Sequence, residues 1–314
     1  MIVTLTPNPS VDRTVEVDAL VRGAVLRARS SHVDPGGKGV NLARALAANG
    51  RKTCAVLPAG GWEGEQLAAL LALHDVEVVL VPVAGSVRAN VSVVEPDGTV
   101  TKLNEPGPAL SAAEVEAVTA ATVAAAGGAD WVAVSGSLPP GTPVDFYARL
   151  VERLRPAGVR VAVDSSGPPL DAALAARPDL VKPNREELAE ATGRSIATLG
   201  EAVAAAEELR RRGPRTVLAS LGADGALLVD QAGAAHGEAP VPHPRSAVGA
   251  GDALLAGFLA AGGSGRTALT EALAWGAAAA GLPGSRMPEP GDLDRAAVRL
   301  AAGIDPHRLL KERS

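Results

Sequence analysis

Strand-like and helix-like segments alternate along most of this chain, and this alternation constrains its fold more than any other feature. Short apolar runs at residues 2–6, 131–135 and 216–220 are typical of strands, whereas residues 39–48 and 199–212 show helical periodicity. Strands that alternate with helices predict a parallel sheet covered by helices. The expected fold class is therefore α/β.

Two regions interrupt the α/β rhythm. Residues 91–95 and 99–103 flank Pro96-Asp97-Gly98, which is a hairpin signature, and residues 14–17 form another short strand-like run. A few strands of this kind outside the main sheet would form a flap or a small second sheet. The sequence therefore predicts a β-sheet lid in addition to the main sheet.

The expected organisation is a single domain, because no Ser/Pro-rich linker, repeat or low-complexity tail divides the sequence. The domain is predicted to span residues 1–314, with lid strands from about 10–34 and 86–105. An exposed sheet offers unpaired edges to other chains, so we also expect a homodimer through the lid.

Three local patterns make narrower structural predictions. Residues 76–83 are apolar enough to predict a buried strand. Thr142 and Pro143 stand in the favoured N-cap and N1 order, which predicts that a helix starts there. Ser111 and Glu114 have the spacing of a capping box, which predicts another helix start.

The composition excludes several classes of protein. Hydrophobic residues make up 47% of the 314 residues, which excludes a disordered chain. The formal net charge of −5 and the six aromatic residues argue against a nucleic-acid partner. One cysteine, Cys54, excludes an intramolecular disulfide and a multi-cysteine zinc site. Without a long apolar span or a signal peptide, we expect a cytoplasmic protein with no membrane partner.

The most informative glycine-rich segment is Gly249-Ala250-Gly251-Asp252, directly before a predicted helix at residues 253–260. Glycines before a helix leave several N–H groups free to converge on one point, which forms an anion hole. Asp252 either acts chemically there or simply caps the helix. A cap does not need the two glycines, so the pattern favours a functional carboxylate.

Other polar segments follow predicted strands, where open α/β sheets bind their ligands. The turn around Lys38 lacks the Ser or Thr of a P-loop; it is a plain turn or a site for an anionic or hydroxyl-rich ligand. Asn184 and Glu187 fit a capping box as well as a nucleotide or metal site. Residues 220–225 form either a tight turn or a backbone cradle for phosphates.

Taken in order along the chain, these motifs resemble the ribokinase/PfkB family of sugar kinases, and most of all its 1-phosphofructokinase and tagatose-6-phosphate kinase branch. The resemblance extends from residue 2 to about residue 288. Six motifs carry it, at residues 8–12, 36–41, 135–140, 182–187, 220–225 and 249–252. It implies a ribokinase-like three-layer α/β/α sandwich with a small β-sheet lid.

The resemblance also implies an activity. The expected reaction transfers the γ-phosphoryl group of ATP, with Mg²⁺, to fructose 1-phosphate and yields fructose 1,6-bisphosphate. Tagatose-6-phosphate kinase and 6-phosphofructokinase of the same family are the alternatives. A non-catalytic sugar-phosphate-binding protein is the alternative from another class.

Roles follow residue by residue from the resemblance. Asp252 matches the general base, and Gly249, Ala250 and Gly251 match its anion hole. Arg88 and Asn90 match residues that hold the phosphate already present on the substrate. The remaining sugar-binding positions are matched by Asp12, Gly37, Lys38, Asn41 and Ser137. The nucleotide positions are matched by Lys182, Asn184, Ser220, Gly222 and Gly225, and the metal position, through water, by Glu187.

Three residues bear on how closely this chain follows the family. Ala247 and Ala253 stand where the family usually has Thr and Ser, so two hydroxyl groups near the anion hole are lost. Lys38 fits the 1-phosphofructokinase and tagatose-6-phosphate kinase branch, whereas the minor bacterial 6-phosphofructokinase typically has glycine there. Lys38 therefore disfavours fructose 6-phosphate as the substrate.

Overall fold

The computed structural model describes residues 1–311, which form a large and a small β-sheet. The strands are β1 (Ile2–Leu5), β2 (Ser10–Glu16), β3 (Ser30–Gly36), β4 (Thr53–Ala59), β5 (Glu77–Pro82), β6 (Arg88–Val94), β7 (Val100–Asn104), β8 (Trp131–Ser135), β9 (Arg160–Asp164), β10 (Leu180–Val181), β11 (Thr216–Ser220), β12 (Ala226–Asp230), β13 (Gly233–Glu238) and β14 (Arg299–Leu300). The α-helices are α1 (Lys38–Ala48), α2 (Gly61–Leu71), α3 (Ala112–Ala125), α4 (Phe146–Leu154), α5 (Gly167–Ala175), α6 (Arg185–Thr192), α7 (Leu199–Arg211), α8 (Ala250–Ala260) and α9 (Gly265–Gly281).

The large sheet has ten strands in the order β14-β13-β12-β11-β10-β9-β8-β1-β4-β5. From β5 to β11 all neighbours are parallel, whereas β11 to β14 pair antiparallel. The expected parallel sheet is thus present, with an antiparallel extension at one side. Because parallel strands share one direction, the carboxyl ends of β8, β9, β10 and β11 meet at one edge.

Apolar side chains cover both faces of this sheet. Val3 and Leu5 of β1 pack in one core with α3 to α7, whereas Ile2 packs in a second core with α1, α8 and α9. Alternate residues of one strand therefore face different helix layers, as the period of two requires. The three layers confirm the expected α/β/α sandwich.

The small sheet has four strands in the order β3-β2-β6-β7. These strands lie within the two ranges predicted for the lid, except that β3 continues two residues beyond residue 34. Strands β6 and β7 pair antiparallel around the predicted hairpin turn. Asp12 of β2 lies opposite Asn90 of β6, and Val15 lies opposite Val93. Most polar residues of β2 and β6 therefore share one face of this sheet, and most of their valines share the other. The assignment of one domain with a lid stays a prediction.

Two local predictions are wrong. Residues 76–83 do not form a buried strand: β5 lies at the end of the large sheet, and Val81 is its one buried residue. Thr142 and Pro143 do not start a helix, because α4 begins at Phe146 and the Phe146 N–H donates to the Pro143 carbonyl in a preceding turn. The capping box that opens α3 at Ser111 is confirmed. No helix of residues 1–311 is long and apolar enough to cross a membrane.

Candidate active site

The candidate site begins with a buried ion cluster at the carboxyl edge of the large sheet. Asp164 is the last residue of β9, and its Oδ1 lies 2.8 Å from Lys38 Nζ while its Oδ2 lies 3.1 Å from Lys182 Nζ. Lys38 Nζ also lies 3.3 Å from Glu187 Oε1. The Asp164 side chain is 1% exposed, so this carboxylate has exchanged water for two ammonium groups.

The charges of this cluster stabilise one another. Burial alone would raise the pKa of Asp164, but the ammonium groups of Lys182 and Lys38 outweigh it and lower that pKa. Burial would likewise lower the pKa of Lys38, but the carboxylates of Asp164 and Glu187 raise it. Asp164 and Lys38 therefore stabilise each other in their charged forms.

Asp252 lies in the first turn of α8, where the left-handed Gly249 (φ 77°) is the N-cap residue. No side chain caps this helix, so the capping role considered for Asp252 is wrong. Instead, Asp252 Oδ2 accepts a hydrogen bond of 2.9 Å from Asn41 Nδ2 of α1. Burial and the nearby charge of Asp164 raise the pKa of Asp252 to about 6, against the lowering effect of Asn41.

The start of α8 faces the ammonium group of Lys182. A Cβ atom added at Gly251 would lie 3.5 Å from Lys182 Nζ, so the glycine keeps open the space between this cation and the helix backbone. The N–H groups of a first helical turn have no partner within the helix. Backbone donors, a helix dipole and a lysine therefore converge where an anion would be stabilised.

Asn184 and Glu187 form the capping box that their spacing allowed. Asn184 Oδ1 accepts from the Glu187 N–H at 2.8 Å, and Glu187 Oε2 accepts from the Asn184 N–H at 2.8 Å. The other carboxylate oxygen of Glu187 faces Lys38, as described above. Glu187 thus caps α6 and belongs to the ion cluster, so its two interpretations are compatible.

The loop at residues 220–225 joins the same edge through a backbone bridge between Ser220 and Asn184. Gly222 has a left-handed φ of 62°, and a Cβ added there would meet nothing within 4 Å. Gly225 also has a positive φ, and its added Cβ would lie 2.0 Å from the Gly237 carbonyl oxygen. The buried Asp224 accepts hydrogen bonds from the Lys311 N–H at 2.7 Å and from Arg308 at 3.2 Å, so the C-terminal segment holds this loop.

The lid contributes a second group of the expected residues. Asp12 Oδ1 accepts hydrogen bonds from Asn90 Nδ2 at 2.9 Å and from Ser10 Oγ at 2.6 Å. A Cβ added at Gly36 would lie 2.3 Å from Asp12 Oδ2, so the glycine allows this carboxylate to approach the turn before α1. The same turn includes Gly37, whose φ is 112°. The lid carboxylate therefore sits directly beside the start of the helix that carries Lys38 and Asn41.

Arg88 and Ser137 lie on the two sides of Asn8. Arg88 donates from Nε and Nη2 to the Asn8 carbonyl and from Nη1 to the Glu105 carbonyl, at 3.1–3.3 Å. The Asn8 side chain donates to Ser137 Oγ at 3.4 Å. Carbonyl groups do not neutralise a guanidinium, and two of its five N–H groups donate to no acceptor among residues 1–311.

Asp164 is the residue that the sequence interpretation missed. It joins Lys38 to Lys182, although neither pairing follows from a motif or a sequence spacing. One signal was present, because a carboxylate that ends a buried strand of a parallel sheet lies at the ligand-binding edge. Lys38, which the resemblance assigns to sugar binding, has its ammonium group paired with Asp164 and Glu187.

Comparisons with known proteins agree with this arrangement. The model of the pfkB family carbohydrate kinases matches residues 5–290. A 1-phosphofructokinase of Rhodobacter capsulatus is 43% identical over 264 residues, 82% of each chain. A 1-phosphofructokinase of Haloferax volcanii is 40% identical over 297 residues, 93% of this chain and 95% of the relative.

A solved structure shares the whole fold. Phosphofructokinase-2 from Escherichia coli in complex with fructose-6-phosphate superposes with a TM-score of 0.84 at 34% identity, over 93% of this chain and 96% of that chain. The expected ribokinase-like fold and the expected sugar-kinase activity, a phosphotransferase acting on an alcohol group, are therefore confirmed. This chain belongs to the pfkB family of carbohydrate kinases.

Proposed function

We propose that this protein phosphorylates fructose 1-phosphate at its free primary hydroxyl group, with ATP as the phosphoryl donor. The observation that carries the proposal is the buried Asp252 carboxylate, which lies at the start of α8 near Lys182. A base and an anion-stabilising site in one place suit phosphoryl transfer to a hydroxyl group. Relatives named 1-phosphofructokinase at 40–43% identity support fructose 1-phosphate as the acceptor.

In this mechanism Asp252 accepts the proton of the sugar hydroxyl as its oxygen attacks the γ-phosphorus of ATP. The bond from that phosphorus to the bridging oxygen of ADP breaks, so the products are fructose 1,6-bisphosphate and ADP. Asn41 holds the Asp252 carboxylate in place through its 2.9 Å hydrogen bond. The N–H groups of the α8 start and the Lys182 ammonium group stabilise the charge on the transferred phosphoryl group.

The residues around the ion cluster fit a Mg²⁺ ion that is bound together with ATP. No group of three or more His, Cys, Asp or Glu residues in the described part of the chain forms an all-protein metal site. Mg²⁺ commonly binds one or two carboxylates together with substrate phosphates. Glu187, whose Oε1 faces Lys38 in the ion cluster, would hold such an ion through water, and a bound Mg²⁺ would neutralise phosphate charge there.

The substrate assignment is tested by measuring ADP release with four acceptors. We expect the highest kcat/KM with fructose 1-phosphate and lower values with tagatose 6-phosphate, fructose 6-phosphate and unphosphorylated fructose. A higher kcat/KM with fructose 6-phosphate would transfer the assignment to the 6-phosphofructokinase alternative. Binding without ADP release from any acceptor would instead favour the non-catalytic sugar-phosphate-binding protein.

The lid also supports the expected homodimer. Its apolar face carries Val15, Val91 and Val93, which are partly exposed, and Leu103, which is 62% exposed. Apolar residues on one face of an exposed sheet favour contact with another surface. A homodimer through the lid stays a prediction, as do the cytoplasmic location and the absence of nucleic-acid and membrane partners.

One prediction separates the two roles of Glu187. Replacement by glutamine keeps the size and a capping acceptor but removes the charge that would attract Mg²⁺. We expect Glu187→Gln to require a higher Mg²⁺ concentration for half-maximal turnover. Its free energy of unfolding should change by less than the roughly 0.5–2 kcal/mol that a lost cap costs. Mg²⁺ titrations and unfolding curves on the same preparation measure both effects.

A matched variant makes this comparison sharper. Glu201 caps α7 in the same way through Thr198, but it lies outside the ion cluster. We expect Glu201→Gln to leave the Mg²⁺ dependence unchanged. An unchanged Mg²⁺ dependence in Glu187→Gln as well would restrict Glu187 to capping.

A second prediction concerns the pH dependence of turnover. The base must be deprotonated to accept a proton, and the pKa of Asp252 is raised to about 6. Turnover is therefore expected to be full well above this pH and to fall about tenfold per pH unit below it. The kcat measured at saturating substrates across the range of about pH 5 to 9 shows this fall, which is the acidic limb of the pH profile.

Substrate phosphates also titrate near pH 6, so the prediction needs a control. Asn41 donates to the ionised form of Asp252 and lowers its pKa. Asn41→Ala should therefore move the acidic limb of the kcat profile to higher pH, whereas a substrate phosphate would titrate unchanged. If the acidic limb lies at the same pH in wild type and in Asn41→Ala, the titrating group belongs to the substrate.

A further inference from the structure

A cavity of about 510 Å³ is lined almost entirely by arginines, and none of its lining residues belongs to a motif discussed above. Its lining residues are Arg155, Arg177, Arg210, Arg211, Arg212, Gly213 and Arg215. The chain as a whole carries a net charge of −5, so six arginines around one cavity are a strong local departure. We call this feature the arginine cavity.

The arginine cavity lies at the amino ends of the parallel strands, whereas the candidate active site lies at their carboxyl ends. Arg155 precedes β9, Arg177 precedes β10 and Arg215 directly precedes β11. Those are parallel strands, and Asp164 and Lys182 lie at their other ends. A five-residue strand such as β9 spans roughly 16 Å, so the two sites do not share residues or space.

Helix capping accounts for part of this charge. The C-terminal ends of α4, α5 and α7 meet here, and arginines are favourable at such ends. Arg155 donates to the Ala176 carbonyl at 2.9 Å, and Arg212 donates to the Ala191 carbonyl at 2.6 Å. These two arginines would be expected without any ligand.

Ion pairing balances a further part of this charge, but not all of it. Arg212, Arg210 and Arg215 face Asp171, Glu207 and Asp179, and the last contact is a loose 3.7 Å with Arg215 82% exposed. Arg177 and Arg211 have no carboxylate within 4.0 Å among the described residues. Six guanidinium groups against three carboxylates leave an excess of three positive charges.

The backbone brings these side chains together through an unfavourable conformation and a close approach of two helix ends. Arg177 has a left-handed φ of 55°, which is unfavourable for a side chain and is followed by a proline. A Cβ added at Gly213 would lie 1.9 Å from the Leu174 carbonyl oxygen and 3.4 Å from Arg177 Cγ. Only a glycine at this position lets the end of α7 approach the end of α5 so closely. The cavity is therefore built by the backbone as well as by the side chains.

We propose that the arginine cavity binds a small anion that carries two or more phosphate groups. Guanidinium groups match phosphate oxygens through paired N–H donors. A phosphate carries about −1.5 to −2 charges at neutral pH, so two phosphates balance the excess of three positive charges. The volume is that of a small-molecule site, and the acidic chain disfavours a nucleic acid.

The test titrates inorganic tripolyphosphate into wild type and into the triple variant Arg177→Gln, Arg211→Gln, Arg215→Gln, with calorimetry at low salt. Removing one charged hydrogen bond to a phosphate weakens binding about tenfold or more, so we expect the variant to bind roughly 30-fold or more weakly at this site. Orthophosphate should bind wild type at least roughly tenfold more weakly than tripolyphosphate. Kinase activity and thermal unfolding without added anion should be unchanged, which shows that the variant is folded.

A charge-matched control is Arg51→Gln, Arg149→Gln, Arg266→Gln, which removes three exposed arginines outside the cavity. We expect this control to bind tripolyphosphate like wild type. An equal loss in both triple variants, or no loss in the cavity variant, would overturn the proposal because the binding would be general or at the active site. Equal affinity for orthophosphate, or tighter cavity-dependent binding of single-stranded RNA, would overturn it in favour of another ligand.

The single variant Arg211→Gln covers the case in which the triple variant does not fold. Arg211 is exposed and unpaired in the described part of the chain, so its replacement leaves no buried group without a partner. We expect its affinity for tripolyphosphate to fall about tenfold. An unchanged affinity in this variant would contradict the proposal on its own. None of these outcomes depends on which sugar the kinase phosphorylates.

Discussion

Asp252→Asn is expected to reduce kcat by roughly 10²–10⁴ while both substrates still bind. Asparagine has the size of aspartate and can accept the hydrogen bond from Asn41, but it cannot take the proton of the attacking hydroxyl group. Steady-state kinetics measure the loss of turnover, and equilibrium binding of ATP and sugar phosphate to the variant measures what is retained. A variant within a few-fold of wild type would place the base elsewhere.

The same variant is expected to be more stable than wild type above pH 6. A pKa raised from 3.8 to about 6 means that the folded protein holds the Asp252 proton more tightly than the unfolded chain does. Wild-type stability is therefore lost as the pH rises through this interval, and the cost is on the order of 1–3 kcal/mol at about pH 8. Asparagine does not ionise and avoids this cost.

Unfolding curves at two pH values check this second effect. The variant should exceed wild type at about pH 8, and the difference should shrink as the pH falls toward about 4, where Asp252 is protonated in the folded protein and about half protonated in the unfolded chain. A purely structural Asp252 would give the opposite result, namely lower stability and nearly normal kcat. The two measurements together therefore distinguish a destabilising catalytic carboxylate from a stabilising structural one.

The order of secondary-structure elements follows from local patterns, and so it could be predicted. Strands β8 and β11 and the hairpin of β6 and β7 match the predicted segments closely because their apolar runs and turns are local signals. Burial of a strand is not local. The β5 segment is apolar enough for a central strand, but the sheet order leaves it at the edge. Only the order of the strands in the sheet decides whether such a segment is a central strand or an edge strand.

Site residues could be predicted where they belong to a recognisable sequence motif. The motif around Asp252 placed a carboxylate at a helix start, and the structure bears out that placement. The contacts of Lys38 could not be predicted, because Asp164 lies 126 residues away along the chain and belongs to no glycine motif. Neighbours across parallel strands depend on strand order, which residue spacing does not encode. The role of Asp164 could therefore be recognised only from the three-dimensional structure.

The second large effect is expected at Arg88. If Arg88 holds the phosphate already present on the sugar, Arg88→Ala removes a charge-assisted hydrogen bond worth about 1.5–3 kcal/mol. The KM for the sugar phosphate should then rise roughly 10- to 150-fold, with a much smaller change in the KM for ATP. Steady-state kinetics with each substrate varied in turn measure both constants.

Arg88 also has structural contacts, so its variant needs comparison with others. It donates to the Asn8 and Glu105 carbonyls, and removing these bonds alone would lower thermal stability without a selective change in KM. Ser92→Ala alters the same face of β6 without removing a charge, and its KM should stay normal. Arg88→Lys retains the charge but not the paired donors, so its KM should fall between wild type and Arg88→Ala. A sugar-phosphate KM that is equal in all three variants would show that Arg88 only supports the lid, and the substrate phosphate would then have to bind elsewhere.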